Sequence, residues 1–466
     1  MNGLKRFAEI FPLGITVLLA LMFHPVALLA EPEWKAGLAQ VKITPEMPVF
    51  MAGYASRDKP SEGKITDLYA KVLALEDSEG HRGVLVTSDL IGFRAEFAEP
   101  MCERIMAKTG LNRAQILLNS SHTHTGPDLT VTPRPSSKMS EQEAKKLVAY
   151  TRRLEDQVVH AVELALSRLE LAQLSWGTGV AKFVMNRREY TERGVILGVN
   201  PRGPVDRSVP VLRVATPNGK LRAVLFGAAC HNTTLTGKHY KISGDYAGFA
   251  QEYIQAKLAS VQAMFMLGCA GDANPYPRGT VQLAGQHGHD LGKEVLRVLE
   301  EKLQLVGGPL RVEFDRVNLP LQDAPSGQEI EKLAGGRGWR AWVGGKMMEM
   351  MDRGEKLPAH YSAPIAVWQF GHDLTLIGLS GEVVVDYVKL LEKVLGPRQL
   401  WIAAYCNDVF GYLPSARVLS EGGYETRGLI HGGIGFFAPA VQDVVMAKVR
   451  QLAHRAGRDV AGTHTH

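Results

Sequence analysis

Short apolar runs that end abruptly in polar residues constrain the fold of this 466-residue chain more than any other feature. Each run is bounded by turn residues or charge, as expected of a buried strand. Between the runs, apolar residues recur at three- and four-residue spacing, which predicts helices. The predicted strands are residues 84–88, 116–120, 223–229, 263–267, 374–379 and 400–404, and the predicted helices are residues 96–109, 140–169, 246–258, 286–303, 383–395 and 440–455. This alternation predicts an α/β fold with a mixed β-sheet core flanked by helices.

The composition is that of a folded globular protein, with 45% hydrophobic and 22% charged residues. Its 48 glycines and 24 prolines disfavour a helical bundle, because both residues are costly inside helices. The 53 basic and 48 acidic side chains leave a net charge of +5, with no long block of one sign. Nothing therefore indicates a nucleic-acid partner, and the substrate class has to come from motifs.

The first thirty residues are typical of a secretory signal. Lys5 and Arg6 precede an apolar run over residues 11–30. We expect cleavage after Ala30, which leaves residues 31–466 as one domain of a secreted or periplasmic protein. Leu28 is larger than the small residue usual two positions before the cut, so the alternative is an uncleaved segment that anchors the chain in the membrane.

The four cysteines are far apart and form no C-x-x-C pair, which argues against a zinc ribbon or a disulfide framework. Three of them end apolar runs, so small buried hydrophobes are the favoured interpretation, and one or two disulfides stay open. They are Cys102, Cys230, Cys269 and Cys406.

Residues 335–360 combine glycines with tryptophans and methionines, among them Trp339 and Trp342. A peripheral helix that packs one face on the domain is the favoured interpretation. The alternative is a lid or a lipid-facing flap, which would use such adaptable apolar side chains.

The predicted strands lead directly into polar clusters. Ligands of α/β sheets bind beyond the carboxyl ends of strands, so these clusters are expected to share one crevice. Histidines and carboxylates around one cleft suit a zinc site with an open position for water. His122 and His124 are one residue apart, which places both side chains on the same side of an extended backbone. The clusters begin at Asp89, Ser121, Cys230, Gly268, Ser380 and Tyr405.

These clusters resemble the motifs of the neutral/alkaline (non-lysosomal) ceramidase family. The resemblance rests on Ser-His-Thr-His-Thr-Gly-Pro at residues 121–127 and on Cys-His-Asn at residues 230–232, followed by Ser-Gly-Asp-Tyr-Ala-Gly-Phe-Ala at residues 243–250. Further blocks agree in order, and the resemblance spans about residues 36–440. The further blocks are residues 51–55, 68–70, 186–187, 271–275, 381–382 and 407–425.

The resemblance implies a zinc-dependent hydrolase of linear amides that cleaves an N-acyl substrate, of which a sphingolipid is one candidate. One Zn²⁺ per chain would activate a water molecule and polarise the amide carbonyl. The ordinary alternatives are a salt bridge for the implied arginine and half-buried phenols for the implied tyrosines. The implied metal ligands are His122, His231, Glu382 and Tyr412, and the implied substrate or oxyanion contacts are His124, Arg187 and Tyr424.

Three departures from the family pattern bear on the substrate. Asn274 stands where the family has its proposed serine nucleophile, so we expect direct attack by metal-activated water, with Asn274 donating a hydrogen bond. Asp67 replaces an expected arginine. The chain also stops soon after the helix at residues 440–455, without the carboxy-terminal immunoglobulin-like domain usual in the family. These changes leave ceramide itself open as the substrate.

Two other functions remain as alternatives. The first is a secreted zinc-binding protein of the same fold that lost catalysis together with the serine. The second is a binuclear metal-dependent amidohydrolase, which is disfavoured because its His-x-His pair usually follows the first strand, whereas His122 follows at least two. The expected partner is a small-molecule or lipid amide substrate and no nucleic acid, with peripheral membrane contact and the oligomeric state left open.

Overall fold

The computed structural model describes residues 34–133, 136 and 138–458, so the predicted leader lies outside the described residues. The strands are β1 (Trp34–Lys42), β2 (Tyr69–Asp77), β3 (Arg82–Ser88), β4 (Ile116–Ser120), β5 (Glu170–Val180), β6 (Val184–Thr191), β7 (Gly194–Asn200), β8 (Ser208–Ala215), β9 (Leu221–Ala228), β10 (Gln262–Leu267), β11 (Ala273–Pro275), β12 (Gln304–Val306), β13 (Leu310–Pro320), β14 (His360–Phe370), β15 (Leu374–Leu379), β16 (Glu382–Val383), β17 (Leu400–Ala403) and β18 (Tyr412–Leu413). The helices are α1 (Ala95–Thr109), α2 (Glu141–Ser167), α3 (Asp245–Lys257), α4 (Val281–Glu300), α5 (Gly327–Ala334), α6 (Gly338–Asp352), α7 (Asp386–Leu395), α8 (Ala416–Glu421) and α9 (Val441–Arg455), with 3₁₀ turns at Arg113–Gln115 and Tyr424–Arg427.

The main sheet has the strand order β10-β9-β8-β5-β1-β2-β3-β4, with β12 pairing β5. Its inner pairs are antiparallel, but the pair at each end, β9–β10 and β3–β4, is parallel. A second sheet has the order β13-β14-β15-β17, and its β15–β17 pair is also parallel. Three parallel pairs in these two sheets, together with the short parallel pair β16–β18, therefore supply the strand ends at which a ligand site is expected.

The two sheets pack face to face, with helices on both outer faces. Helices α1 and α2 cover β2–β4, helices α3 and α4 cover β9 and β10, and helices α7 and α9 cover the second sheet. The result is a layered helix–sheet–sheet–helix arrangement, which confirms the predicted α/β class and its mixed sheet. Between the sheets lie Leu73, Leu85, Leu225 and Met264 from the main sheet and Trp368, Phe370, Leu376 and Trp401 from the second sheet.

All six predicted strands are present within two residues of their predicted bounds. Helix α4 begins at Val281, five residues earlier than predicted, because the Thr280 side chain caps it by accepting from the Leu283 amide. Helix α7 begins at Asp386 rather than Val383, because Glu382 and Val383 pair with β18 instead. The lengths of these two helices were therefore predicted wrongly.

Two ambiguous features of the sequence are decided by packing. All four cysteines are buried and free, which confirms them as small buried hydrophobes. Helix α6 packs Val343 and Met347 against Ile330 and Phe436, as the peripheral-helix interpretation requires, and leaves Trp342 exposed. No helix in the described part of the chain is both long and apolar enough to cross a bilayer.

Candidate active site

Asn119 joins the two edge strands of the main sheet, β4 and β10. Its Oδ1 accepts from the Leu267 amide at 2.9 Å and its Nδ2 donates to the Ala404 carbonyl at 2.7 Å, so β4, β10 and the chain after β17 meet at one residue. The Asn407 amide also donates to the Leu118 carbonyl at 2.9 Å. The parallel strand ends of both sheets therefore converge, as the sequence predicted.

His122 and His124 meet in this convergence, but not through extended backbone. His122 has a left-handed φ of 60°, so the assumption of an extended His-x-His segment is wrong. The His122 Nδ1 donates to the Ile91 carbonyl at 2.5 Å, which turns its Nε2 inward. The Nε2 atoms of the two rings lie 3.2 Å apart, so the turned loop still brings both imidazoles together.

The segment of residues 51–55 supports His124 from behind. Gly53 has a φ of 93°, and a Cβ there would lie 2.4 Å from the His124 ring. The Arg57 guanidinium donates to the carbonyls of Ala52 and His124, both at 2.7 Å. The amino-terminal motif therefore contributes to the site by fixing the position of one imidazole.

His231 and Glu382 complete the inner cluster. The His231 Nδ1 donates to the Ala270 carbonyl at 2.6 Å, and its Nε2 lies 3.0 Å from Glu382 Oε2. The Nε2 of His122 lies 3.2 Å from the same carboxylate oxygen. Glu382 is itself buried, so its carboxyl group faces the two rings away from solvent.

The hydrogen bonds assign the protons of both rings. A carbonyl oxygen only accepts, so each Nδ1 carries a proton, and a ring in its neutral form has its lone pair at Nε2. The Arg187 Nη1, which can only donate, lies 3.2 Å from His231 Nε2 and agrees with that assignment. Burial, followed by the charge of Arg187, lowers the pKa of His231 to about 4, so its ring is neutral.

The Nε2 atoms of His122 and His231 thus both approach one carboxylate oxygen, at 3.2 and 3.0 Å, an arrangement that a metal cation would stabilise. A tetrahedral ion at about 2.0–2.1 Å from its ligands separates them by about 3.3 Å, close to the distances here. The ligand nitrogens of His122, His124 and His231 lie within 4.8 Å of one another. Each Nδ1 bond to a carbonyl also fixes the ring, as in metal sites. The residues thus fit a metal ion.

Tyr412 lies beside this cluster because β16 and β18 pair Glu382 directly with it. Its hydroxyl accepts from Arg187 Nη2 at 3.0 Å. Burial raises the pKa of Tyr412 well above its usual 10 against the influence of Arg187. Without a metal its oxygen is therefore a neutral phenol held by a guanidinium.

Glu425, which the sequence analysis did not single out, holds the arginine in place. Its Oε1 accepts from Arg187 Nε at 2.9 Å and its Oε2 accepts from Arg188 Nη1 at 2.6 Å. All three side chains are buried. Tyr424 directly precedes Glu425 in the chain, and its phenol is half-buried. Its ring centroid lies 5.5 Å from that of Tyr412. The position of Glu425 beside the implied Tyr424 was the signal that could have found it.

Asn274 approaches the Nη1 end of the Arg187 guanidinium, whereas Glu425 binds its Nε. Its Oδ1 accepts from Thr233 Oγ1 at 3.0 Å and lies 3.5 Å from Arg187 Nη1. Because both neighbours act as donors, the amide Nδ2 of Asn274 is turned away from them with its two hydrogens available. Thr233, two residues after His231, was also missed by the sequence analysis.

Two further buried groups complete the surroundings. The Tyr405 ring centroid lies 4.6 Å from that of His122, and its hydroxyl is buried without a hydrogen-bond partner. Asp272 accepts from the Val385 amide at 2.8 Å, and burial raises its pKa to about 6. Asp272 thereby ties the 271–275 turn to the chain after Glu382. All eight residues implied by the resemblance thus lie in one region, joined by the contacts above.

Comparison with known proteins finds relatives in one family. Residues 34–286 match the family described as neutral/alkaline non-lysosomal ceramidase, N-terminal. A neutral ceramidase of Pseudomonas aeruginosa is 26% identical over 262 residues, which cover 52% of this chain and 37% of that protein. Neutral ceramidase B of Dictyostelium discoideum is 24% identical over 254 residues, which cover 50% of this chain and 34% of that protein. The matched regions are thus little more than a third of each relative.

The fold is also similar to that of solved structures. The crystal structure of the neutral ceramidase from Pseudomonas aeruginosa superposes with a TM-score of 0.70 at 19% identity, covering 91% of this chain and 74% of that one. A ceramidase complexed with C2 gives a TM-score of 0.70 at 18% identity, covering 93% and 77%. At this identity the superpositions establish the fold, and the chemistry has to be argued from the site.

Proposed function

The chain belongs to the neutral/alkaline non-lysosomal ceramidase family, and we propose that it is an exported zinc-dependent hydrolase that cleaves an N-acyl amide. The observation that carries the proposal is the approach of His122 Nε2 and His231 Nε2 to one oxygen of Glu382, at 3.2 and 3.0 Å. Neutral imidazoles and a carboxylate in near-tetrahedral spacing suit Zn²⁺ better than Mg²⁺ or Ca²⁺, which prefer oxygen ligands.

His122, His231 and Glu382 would hold the ion, with Tyr412 as the fourth residue and His124 facing the open side. When bound, Zn²⁺ would polarise the amide carbonyl and acidify a water molecule. Tyr412 adjoins Glu382 across the β16–β18 pair, and Arg187 beside its hydroxyl favours the phenolate that a ligand requires. We assign His124 to the substrate, because its ring lies at the rim of the cluster against Tyr54.

Arg187 and Asn274 would stabilise the charge that develops on the amide oxygen during attack. Arg187 is buried and oriented by Glu425, so it needs no rearrangement to meet that charge. Asn274 presents its Nδ2 hydrogens because Thr233 and Arg187 occupy its oxygen. An amide side chain is not a nucleophile for acyl transfer, so hydrolysis here proceeds without an acyl-enzyme and water adds directly to the carbonyl carbon.

Asn274 also supports a second candidate, a zinc-binding protein that retains the fold but does not turn over amides. The two candidates share the metal site and differ only in turnover. Metal content alone therefore does not separate them, whereas hydrolysis does.

The test pairs elemental analysis of the purified protein with a hydrolysis screen over N-acyl sphingosines, N-acyl amino acids and simple esters. The proposal expects one zinc per chain and turnover of at least one amide. His124→Ala is expected to keep zinc and lose turnover, whereas loss of zinc would make His124 a ligand. Zinc without turnover of any compound would favour the binding protein, and protein refolded with excess zinc that still binds none would refute the metal site.

A further inference from the structure

The 3₁₀ turn Tyr424–Arg427 is flanked by two surface elements with exposed apolar side chains. The first is the hairpin of β6 and β7, which carries Arg187 of the candidate site on β6 and packs Val195 against Gly423. Beyond that contact the hairpin exposes Ile196 and Leu197, at 46% and 48% of their surface. The hairpin therefore connects the candidate site to an exposed apolar surface.

The second element is helix α6, which reaches the same turn through stacked rings. Trp342 is 42% exposed and stacks on Trp339 with ring centroids 4.4 Å apart. Trp339 Nε1 donates to the Arg427 carbonyl at 3.2 Å, and the Arg427 guanidinium lies 3.8 Å above the Tyr424 ring. A continuous series of flat groups therefore leads from solvent to Tyr424, beside Tyr412.

The exposed apolar side chains occur together with three arginines for which the described part of the chain supplies no ion-pair partner. Among the described residues no carboxylate forms an ion pair with Arg193 in the hairpin turn or with Arg337 and Arg340 at the start of α6. Tryptophan together with arginine is the composition of elements that lie at the interface of anionic membranes. The hairpin also carries Glu189 and Glu192, so the net positive charge comes from Arg337 and Arg340, and it is this end of the surface that complements an anionic lipid surface.

The hairpin also distinguishes a lipid surface from a protein partner. Successive strand residues point to opposite faces, so Ile196 and Leu197 are exposed on opposite sides of β7. A flat protein surface would cover one of these faces, whereas insertion into the headgroup region buries both at once.

We propose that the hairpin β6–β7 and the first turns of α6, together called the lipid rim, dock this protein on an anionic phospholipid surface. This inference rests on the proposed function, because the docked surface would be the source of the N-acyl lipid. The rim surrounds the turn that holds Tyr424, so a docked molecule would present the site to lipid leaving the bilayer. Trp342, Ile196 and Leu197 would enter the headgroup region, with the arginines at the phosphates.

The test measures quenching of tryptophan fluorescence in the full chain by vesicles of phosphatidylcholine and phosphatidylglycerol with brominated acyl chains. We expect quenching of the unmodified protein, loss of most of it in Trp342→Phe, and a roughly ten-fold higher lipid requirement in the double variant Ile196→Ser, Leu197→Ser. Leu305→Ser is the matched control, because Leu305 is 59% exposed on β12 and belongs to neither rim element. Quenching of Trp342 is local, so it reports the rim whether or not the leader also binds lipid.

Equal quenching in the unmodified protein and Trp342→Phe, or an unchanged lipid requirement in the double variant, would overturn the lipid rim. Equal quenching by vesicles without phosphatidylglycerol would overturn its anionic character. The proposed function fails separately: a protein that docks as expected but cleaves no amide refutes only the hydrolase, whereas one that cleaves amides while its rim variants dock normally refutes only the rim.

Discussion

Replacing Glu425 by Gln is expected to destabilise the protein and to lower its rate of amide hydrolysis. The reason is that this one carboxylate holds two buried guanidiniums. Glu425 accepts from Arg187 at 2.9 Å and from Arg188 at 2.6 Å. A glutamine keeps the shape but offers one oxygen and one NH₂ group. One of the two arginines would therefore face a donor, and both would lose their shared counter-charge.

The magnitude follows from these two contacts. A hydrogen bond to a charged group contributes about 1.5–3 kcal/mol, and removing one partner of a buried ion pair costs about 3–5 kcal/mol. In the variant, Arg188 keeps its bond to Glu421 at 3.0 Å and Arg187 keeps its bond to the Tyr412 hydroxyl at 3.0 Å. The lower end of the range for a broken buried ion pair therefore applies. We expect the free energy of unfolding to fall by about 3 kcal/mol at neutral pH.

Urea unfolding of the two proteins measures this difference. The matched control is Glu301→Gln, which removes an ion pair to Arg297 whose side chains are 55% and 49% exposed. An exposed pair contributes about 0.5 kcal/mol or less, so the control should have nearly the same free energy of unfolding as the unmodified protein. A loss below about 1 kcal/mol in Glu425→Gln would refute the reasoning, because it would mean that the two arginines do not depend on this carboxylate.

The difference should also depend on pH in a defined direction. Burial would raise the pKa of Glu425, but Arg187 and Arg188 outweigh burial and lower it from 4.5. A carboxylate with a lowered pKa stabilises the fold above its unfolded pKa, and this contribution is lost as the pH falls through the folded pKa. The gap between the unmodified protein and Glu425→Gln should therefore be constant near neutrality and shrink below about pH 4.5.

Four further outcomes are expected. Replacing His122 or His231 by Ala should remove the metal, as elemental analysis would show, because each takes away an Nε2 that faces Glu382. Asn274→Ala should lower the hydrolysis rate roughly 10²- to 10³-fold without loss of metal, because a donor to the developing oxyanion disappears. Gly53→Ala should lower the rate at least about ten-fold, because its Cβ would lie 2.4 Å from the His124 ring and displace it. Amino-terminal sequencing of exported protein should show cleavage near Ala30.

Each of these outcomes has a control and a contradicting result. His287→Ala removes a buried histidine bonded to the Pro277 carbonyl and should keep the metal, whereas full metal in both ligand variants would remove the basis of the site. An acyl-enzyme trapped by rapid quench would defeat direct attack by water. Gly63→Ala imposes the same strain at a φ of 104° with no atom within 4 Å, so equal loss there would make strain the cause. An intact Met1 in the membrane fraction would turn the leader into an anchor.

Strand positions and strand ends were readable from the sequence because hydrophobic burial acts locally along the chain. The apolar run from Ile116 to Leu118 predicted a strand over residues 116–120, and the structure ends β4 at the same residue, Ser120. Among the strands that the sequence analysis did not predict, β6 and β7 mix buried and exposed residues in no simple alternation. Only their pairing with each other and with β11 stabilises them as strands.

The histidines of the candidate site were found for the same local reason, since each follows a recognisable strand. The pairing of Glu382 with Tyr412 was not readable, because it joins residues thirty positions apart through strands of two residues each. The turned backbone of His122 was also hidden, since its φ of 60° is set by contacts of the folded loop.

Glu425 shows what only the tertiary structure decided. In the sequence it is one acidic residue among the 48 aspartates and glutamates, and its partners Arg187 and Arg188 lie more than 230 residues earlier. Apolar periodicity determined which segments are buried, because each residue responds to its own neighbours and to water. Which charge neutralises which, and therefore which arginine is held rigid beside the histidines, depends on how the fold brings β6 next to the 3₁₀ turn Tyr424–Arg427. A buried ion pair is stable only when the fold supplies both partners, and that is a property of the packed sheets and not of either segment alone.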